Sequence, residues 1–380
     1  MEHNIFPGLA GVNIDTTEIA SINGDKGELI YRGYDIRELS DRISFEEATY
    51  LLWNEDLPNE EQLGSFRSSL KSLFAIPEPI YSILRMIPTD TQPIHAIRTA
   101  VSALASLDNN SEDIDLGNSH RIGTSLLAKF STITAAFERI RKGLEPIPPD
   151  PGLSIAGNFL YMLNGKKPTL AATQTMDVAL VLHAEHGCNA STFTARTAAS
   201  SGTDVYSAIT AAIASLKGPL HGGANTAVMN ALEAIDKVEH VEGYVLDILS
   251  KPHGRVMGFG HRVYRVLDPR AVILKEVARH LAEESGDRKW FVMSLEMEEV
   301  MTREMKRQGK QIRPNVDFFS ASVYRMLGFP IDMYTPIFAV ARISGWMAHL
   351  FEQYANNRLM RPRLVYEGPR GRTFKAIDQR

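Results

Sequence analysis

The spacing of apolar side chains predicts helices along most of this chain. Ser44 to Glu47 has the pattern of a capping box, and apolar residues follow it at helical spacing through Trp53. Another helix is predicted after Pro58. Further helices are predicted over about Ala171–Gly187, Val205–Lys217, Asn225–Lys237 and, with Thr335 as N-cap before Pro336, through Phe351.

Strand patterns are rare in the sequence. The run from Gly27 to Gly33 is a short strand-like segment between glycines, and it predicts one small hairpin. Asp108–Ser119 and Pro146–Pro151 are polar or proline-rich and are predicted to be loops. Because strands and helices do not alternate, a doubly wound parallel sheet is disfavoured, and the predicted fold class is all-α.

Composition narrows the class of protein. The chain has 380 residues, 44% of them hydrophobic and 23% charged, which is enough for a sizeable core. A net charge of -4 argues against nucleic-acid binding, which needs a basic excess. No apolar run reaches the ~18–20 residues that span a bilayer, so no membrane association is expected.

The ends of the chain and its cysteine predict a cytoplasmic protein. The start, Met1 to Asn4, lacks the basic and then apolar pattern of a secretory signal. A single cysteine, Cys188, cannot form an internal disulfide, and we expect a buried, inert thiol. From Asn356 to Arg380, seven basic side chains face two acidic ones, so this end is either a solvated tail or a source of anion-binding arginines.

The segment from Gly258 to Arg270 carries the most chemical information. Gly258 and Gly260 allow close approach of a ligand to the backbone, and His261, Arg265 and Arg270 follow within ten residues. A nucleotide loop is disfavoured, because the third glycine and the preceding strand of that motif are missing. The cationic groups favour an anionic ligand over a plain solvated loop.

His221 lies in Gly218 to Asn225, at the predicted start of a helix. The positive end of the helix dipole disfavours imidazolium there, so a neutral ring could donate a hydrogen bond to a carbonyl that gains negative charge. A loop histidine with a structural hydrogen bond is the alternative.

Two charged residues stand among apolar neighbours. Asp317 lies between Val316 and Phe318, where desolvation would raise its pKa toward that of a general base, although a helix-capping role is the alternative. Arg342 lies in an otherwise apolar helix and therefore needs either a protein carboxylate or a ligand anion as its partner.

His183 and His186 are three residues apart and are predicted to share one helix face. A zinc site is rejected, because the zinc-protease motif has glutamate directly after the first histidine and nothing nearby completes a tetrahedral site.

Several of these segments together resemble the citrate synthase family. The resemblance runs from Leu9 to Arg361. Its most specific parts are His183–His186 with Asn189–Thr192, Gly218–Asn225, Gly258–Arg270 and Pro314–Asp317.

The resemblance implies an almost entirely helical homodimer. Residues 1–221 and 330–380 would form a large domain, and residues 222–329 a small domain that closes over the substrates. The implied activity condenses acetyl-CoA with oxaloacetate and hydrolyses citryl-CoA to citrate and CoA, the first step of the tricarboxylic acid cycle. No metal or other cofactor is expected.

The resemblance also implies the role of each site residue. His221, His261 and Asp317 would be catalytic. Oxaloacetate would be bound by His186, Arg270, Arg342 and, from the partner subunit, Arg361. CoA would be bound by Arg265, Gly258 and Gly260.

Other functions stay open at this point. A 2-methylcitrate synthase that uses propionyl-CoA would share these motifs, and one methylene group is worth only ~1–3 kcal/mol in an apolar pocket. A non-catalytic protein that binds CoA or a dicarboxylate is a second alternative, although it would not need His221, His261 and Asp317 together. A metal-dependent hydrolase is a third, which a chelator would inhibit.

Overall fold

The computed structural model describes residues 5–380, and helices dominate this part of the chain. Met1 to Asn4, on which the expectation about a secretory signal depends, lie outside the described residues. The helices are α1 Ile36–Leu39, α2 Phe45–Asn54, α3 Glu60–Leu73, α4 Glu78–Met86, α5 Pro93–Ala105, α6 Leu116–Arg141, α7 Ile155–Asn164, α8 Leu170–Ala184, α9 Ala190–Ala199, α10 Val205–Leu216, α11 Ala224–Ile235, α12 Val241–Ser250, α13 Pro269–Ser285, α14 Lys289–Arg307, α15 Val316–Met326 and α16 Tyr334–Ala355.

A small antiparallel sheet precedes the helices. Its strands are β1 Ala20–Asn23, β2 Glu28–Tyr31 and β3 Tyr34–Asp35, in that order, with Ile22 opposite Leu29. The predicted hairpin is therefore confirmed and gains a short third strand. With so little sheet among residues 5–380, the predicted all-α class is confirmed.

Helix α16 lies at the centre of the core. It is buried along nearly its whole length and packs against α6, α8 and α9. On α6, Gly123 faces Met347 so closely that a Cβ would lie 2.9 Å from the methionine Cε. Small residues similarly let α10 pack against α9, as its alanine-rich sequence suggested. The core therefore depends on close contact between helices.

The start of α2 was predicted correctly from its cap. Ser44 Oγ accepts a hydrogen bond from Glu47 N, and the Glu47 carboxylate accepts one from Ser44 N. Such a cap is worth about 1 kcal/mol. The helix predicted after Pro58 is α3, and it begins with a second capping box, between Asn59 and Gln62.

Three predicted boundaries are wrong. Helix α8 ends at Ala184, because Glu185 is extended with φ -143° and ψ 146°, so His183 and His186 do not share a helix face. Thr335 lies inside α16, and its hydroxyl donates to the Gly222 carbonyl instead of capping the helix. The predicted loop that ends at Ser119 is shorter, because α6 begins at Leu116.

The proposed division into 1–221 with 330–380 and 222–329 stays a prediction. Within 222–329, α13 and α11 pack on α15, and α12 packs on α14, while α13 also contacts α8. Among residues 5–380, no helix combines the length and apolar character needed to cross a membrane.

Candidate active site

His221 lies in the turn between α10 and α11, as the sequence predicted. Its Nε2 is 3.3 Å from the Ser191 backbone N–H and 2.8 Å from Ser191 Oγ, which also accepts from Trp346 Nε1 at 3.0 Å. Because an N–H points at Nε2, the proton of the neutral ring belongs on Nδ1. Burial, with the charge of Arg342, lowers the pKa of His221 to about 4. The ring is neutral near pH 7.

His261 is fixed in the opposite tautomer. Its Nδ1 accepts hydrogen bonds from the backbone N–H groups of Val263 at 3.0 Å and Tyr264 at 3.2 Å. The ring proton therefore belongs on Nε2. Burial, followed by the charge of Arg270, lowers the pKa of His261 to about 4. This neutral ring also has one N–H to offer to a ligand.

Asp317 lies at the start of α15. The side chain of Asn315 caps that helix by accepting from Asp317 N at 3.0 Å, so capping does not account for the aspartate. Among the described residues, its buried Oδ1 has no hydrogen-bond partner. Burial raises the pKa of Asp317 to about 6, against the opposing charge of Arg270. The carboxylate is ionised near pH 7 but readily accepts a proton.

Arg270 is buried and held by a carboxylate that sequence reasoning missed. Asp268 accepts from Arg270 Nε at 3.0 Å and from Nη2 at 2.8 Å. The second Asp268 oxygen also accepts from Val316 N at 3.2 Å. Asp268 therefore connects Arg270 to the helix that carries Asp317. Asp268 could have been noticed in the sequence, because it directly precedes Pro269 at the start of a helix.

Arg342 is also buried, at 1% exposure. Its Nε donates to the His183 carbonyl at 2.7 Å, and its guanidinium lies 4.7 Å from the Phe338 ring centroid. Burial lowers its pKa to about 10, while the nearby charge of Glu185 opposes that shift. A protein carboxylate is therefore close, yet the side chain keeps donor capacity for a ligand anion.

His186 follows the end of α8 and faces the loop that carries His261. Its ring centroid is 5.3 Å from that of His261, and its Nε2 is 3.3 Å from Tyr264 Oη. Burial, with the charge of Arg270, holds the pKa of His186 well below its ordinary value. The hydroxyl of Tyr264 is a further polar group that sequence reasoning missed.

The imidazole of His183 and the thiol of Cys188 were given no role in the predicted chemistry. His183 is fully buried, and its Nδ1 is 2.7 Å from the Ala179 carbonyl inside α8. In residues 5–380, no group of three or more histidine, cysteine or acidic side chains could hold a metal ion. Cys188 is exposed, so its predicted burial is wrong.

The two glycines before His261 fold their segment onto the start of α15. Gly260 N donates to the Arg313 carbonyl at 2.8 Å, and Asn315 N donates to the Gly258 carbonyl at 2.9 Å. Both glycines have φ near +82°, which other residues rarely adopt. A Cβ on Gly258 would lie 2.8 Å from the Phe318 ring. The glycines thus bring His261 next to the helix of Asp317.

A cavity of about 460 Å³ opens beside His261. Its lining includes Arg255, Phe259, Gly260, Arg262, Met305 and Ile312. Arg255 is a cationic group that sequence reasoning did not single out, and Arg262 directly follows His261. The cavity thus combines apolar walls with positive charge next to a candidate catalytic residue, which suits a long anionic ligand.

Arg265 and Arg361 lie apart from the buried residues in this chain. Arg265 is exposed, with its Nη1 3.1 Å from Asp25 Oδ1. Arg361 is exposed in the extended segment after α16 and makes no hydrogen bond or ion pair within the described residues. Direct contacts link the other predicted side chains. His186 lies beside His261, and Asp268 joins Arg270 to the helix of Asp317. The Phe338 ring lies next to both His221 and Arg342.

Comparisons with known proteins place the whole chain in one family. Residues 8–363 match the family described as "Citrate synthase, C-terminal domain". "Citrate synthase 2" of Bacillus subtilis (strain 168) is 46% identical over 374 residues, which cover 98% of each chain. "Citrate/2-methylcitrate synthase" of the same organism is 42% identical, over 97% of each chain.

A solved structure has the same fold. The citrate synthase of Thermoplasma acidophilum, in a ternary complex with carboxymethyl coenzyme A and oxaloacetate, superimposes with a TM-score of 0.93 at 34% identity. The match covers 99% of this chain and 100% of that one. Family match, full-length relatives and fold agree, and the chain belongs to the citrate synthase family.

Proposed function

We propose that this protein condenses acetyl-CoA with oxaloacetate and hydrolyses the resulting citryl-CoA to citrate and CoA. One observation carries the proposal. Two neutral histidines, His221 and His261, are fixed in opposite tautomers, each with one N–H to donate, in one site with the high-pKa carboxylate Asp317. This reaction needs two carbonyl oxygens polarised and one C–H proton removed.

Asp317 acts as the base on the methyl group of acetyl-CoA. Its buried Oδ1 has no partner among the described residues, so no hydrogen bond has to be broken before the proton arrives. His221 donates its Nδ1 proton in a hydrogen bond to the thioester oxygen and stabilises the enol. Neutral imidazole suits this role, because the pKa of its N–H is closer to that of the enol than the pKa of imidazolium is.

His261 polarises the second carbonyl. Its Nε2–H donates to the keto oxygen of oxaloacetate, so the keto carbon becomes more electrophilic when the enol carbon attacks it. As the new carbon–carbon bond forms, the keto oxygen takes up a proton through His261, which balances the methyl proton taken by Asp317, and citryl-CoA results. Water then cleaves the thioester to release citrate, CoA and a proton. Both histidines keep their tautomers through backbone N–H contacts, which do not titrate.

The two carboxylates of oxaloacetate are bound by Arg270, Arg342 and His186. The two arginines are buried and fixed on one side, by Asp268 and by the His183 carbonyl respectively, so their remaining N–H groups are preorganised for an anion. Such preorganisation lowers the entropic cost of binding.

CoA extends from the site along the cavity beside His261. Gly260 has no side chain, so CoA can approach the backbone there, while Arg255 and Arg262 line the cavity. Arg265 is exposed close by and reaches a CoA phosphate by exchanging its ion pair with Asp25, which is worth little at the surface. Gly258 faces Val228 and Phe318 rather than open space, so it contributes to the CoA site by allowing the turn before His261.

The working unit is a homodimer, and Arg361 completes the site of the partner subunit. In support, the segment after α16 leaves several large apolar side chains exposed, including Leu359, Leu364, Tyr366 and Phe374. Such a run of exposed apolar groups is typical of a segment that packs on another chain. Arg361 lies within this run.

A 2-methylcitrate synthase is the second candidate, because a relative that is 42% identical is named for both products. Propionyl-CoA adds one methyl group next to the carbon that Asp317 deprotonates. The site would keep every role described above.

Free-thiol release distinguishes these reactions. The assay uses acetyl-CoA or propionyl-CoA, each with and without oxaloacetate, in the presence of a chelator. We expect oxaloacetate-dependent release that is faster with acetyl-CoA. Faster release with propionyl-CoA would favour 2-methylcitrate synthesis, release that the chelator abolishes would favour a metal-dependent hydrolase, and binding without release from folded protein would favour a non-catalytic homologue.

A further inference from the structure

The turn of the β1–β2 hairpin, residues 23–27, contacts the loop that carries His261. Arg265 N donates to the Gly24 carbonyl at 2.9 Å. A Cβ on Gly24 would overlap the Val263 carbonyl oxygen and lie 2.8 Å from its carbonyl carbon. Both partners are backbone atoms, which cannot rotate away like a side chain. Any other residue at position 24 would therefore push the loop outward.

The same loop backbone holds the tautomer of His261. The N–H groups of Val263 and Tyr264 donate to His261 Nδ1 at 3.0 and 3.2 Å. If Val263 moves, the N–H groups leave Nδ1, and the ring loses the restraint that keeps its proton on Nε2. The hairpin turn thus contacts Val263, and Val263 contacts the ring of His261, which makes the proposed hydrogen bond to the keto oxygen.

The other end of the hairpin is hydrogen-bonded to the residue that precedes His186. The hydroxyl of the buried Tyr31 is 2.8 Å from the Glu185 carbonyl and accepts from Glu185 N at 3.2 Å. Glu185 directly precedes His186, whose ring is 5.3 Å from that of His261. One small hairpin therefore contacts both segments that bring these histidines together.

We propose that this hairpin turn is a positioning element for His261, and that Gly24 is its positioning residue. The inference rests on the proposed function for the role of His261, and on geometry for the contact itself. Because the turn belongs to residues 1–221 and the loop to 222–329, the contact joins the two predicted domains.

The test compares Gly24→Ala with Gly64→Ala, a glycine on α3 that has open space around its Cβ position. We expect Gly24→Ala to raise KM for oxaloacetate and lower kcat, each by about 10–100-fold, since small misplacements of catalytic groups have effects of this size. The melting temperature should stay near that of wild type, because Asp25 and Lys26 at the tip of the turn are exposed and the loop can move outward without opening the helical core. Wild-type constants in Gly24→Ala would overturn the proposal.

Hydrogen exchange gives a readout independent of turnover. Amides 263–267 should exchange faster in Gly24→Ala than in wild type, and oxaloacetate should protect them only in wild type. If Gly24→Ala fails to fold, Asn23→Ala takes its place. It removes the side-chain oxygen that accepts from Asp25 N and Lys26 N, both at 3.1 Å, and loosens the turn without adding volume. Unchanged exchange at 263–267 in the folded variant would contradict the inference.

The two proposals can fail separately. Wild-type protein that releases no CoA with acetyl-CoA and oxaloacetate would refute the proposed function. The exchange rates of amides 263–267 without ligand would still decide whether the hairpin positions the loop.

Discussion

At the residue scale, the side chains proposed for the site could be picked out from the sequence, whereas the groups that hold them in place could not. His221, His261 and Asp317 were found from their neighbours in sequence, since glycine turns and apolar flanks are local features. Their hydrogen-bond partners are not local. Ser191 reaches His221 from α9, 30 positions earlier in the chain. Contacts of this kind depend on tertiary packing, which one sequence does not reveal.

Asp317→Asn tests the proposed base. The amide keeps the shape of the carboxylate but cannot accept the methyl proton, so kcat should fall by about 10²–10⁴-fold. Because the pKa of Asp317 is raised to about 6, kcat/KM of the wild type should rise with pH and level off above that value. The histidines would affect the profile only near pH 4.

Steady-state kinetics across pH 4.5–9 measure both effects, with the exposed Asp90→Asn as the matched control. Turnover near the wild-type rate in folded Asp317→Asn protein would remove this residue from its catalytic role.

At the element scale, the sequence predicted helices well where caps are local. The capping box at Ser44 marked the start of α2 correctly. Prediction from the sequence failed where tertiary contacts decide the boundary of a helix. Thr335 has the chemistry of a cap, but its hydroxyl bonds to Gly222 instead. The end of α8 at Ala184 depends on Tyr31, whose hydroxyl binds the Glu185 backbone 154 positions away.

The junction of α2, α7 and α8 contains two neighbouring carboxyl groups. Asp177 Oδ1 accepts from Phe45 N at 3.0 Å, and Glu46 Oε1 accepts from Ile155 N at 2.7 Å. Burial, followed by the charge of Glu46, raises the pKa of Asp177 to about 7 from its ordinary value of 3.8. Between pH 3.8 and about 7, Asp177 therefore keeps a proton in the folded state that it has already released in the unfolded state. The stabilisation is fully present below about pH 4 and is lost as the pH rises through 7.

Asp177→Asn should remove this pH dependence. Asparagine keeps the oxygen that accepts from Phe45 N but carries no charge beside Glu46. The melting temperature at pH 8 should rise by about 1–3 °C over wild type, and the slope between pH 5 and 8 should flatten. Thermal unfolding across this range is the measurement, with Asp90→Asn as the control. A slope as steep as that of wild type would show that the Asp177 proton is not the cause.

At the scale of the whole molecule, the sequence predicted a helical fold and a shared site, and the fold is confirmed. Arg361 lies beyond α16 and is exposed in its own chain, which fits its proposed role in the site of a second subunit.

Mixing two inactive variants tests the shared site. Arg361→Ala and Asp317→Asn should each be nearly inactive alone. In a mixed dimer, one site combines the intact Asp317 of one chain with the intact Arg361 of the other, so random exchange of subunits should restore about one quarter of wild-type activity. Activity after unfolding and refolding the mixture is the measurement. No recovery above the separately refolded variants would show that Arg361 does not serve the partner's site.

The central claim is that a carbon–carbon bond forms between the acetyl methyl group and the keto carbon of oxaloacetate. The most direct measurement uses acetyl-CoA labelled with carbon-13 in the methyl group and follows the label by NMR in the presence of oxaloacetate. The label should appear in a methylene carbon of citrate as one equivalent of CoA thiol is released. Label recovered in free acetate, or left in acetyl-CoA by folded protein, would contradict the account.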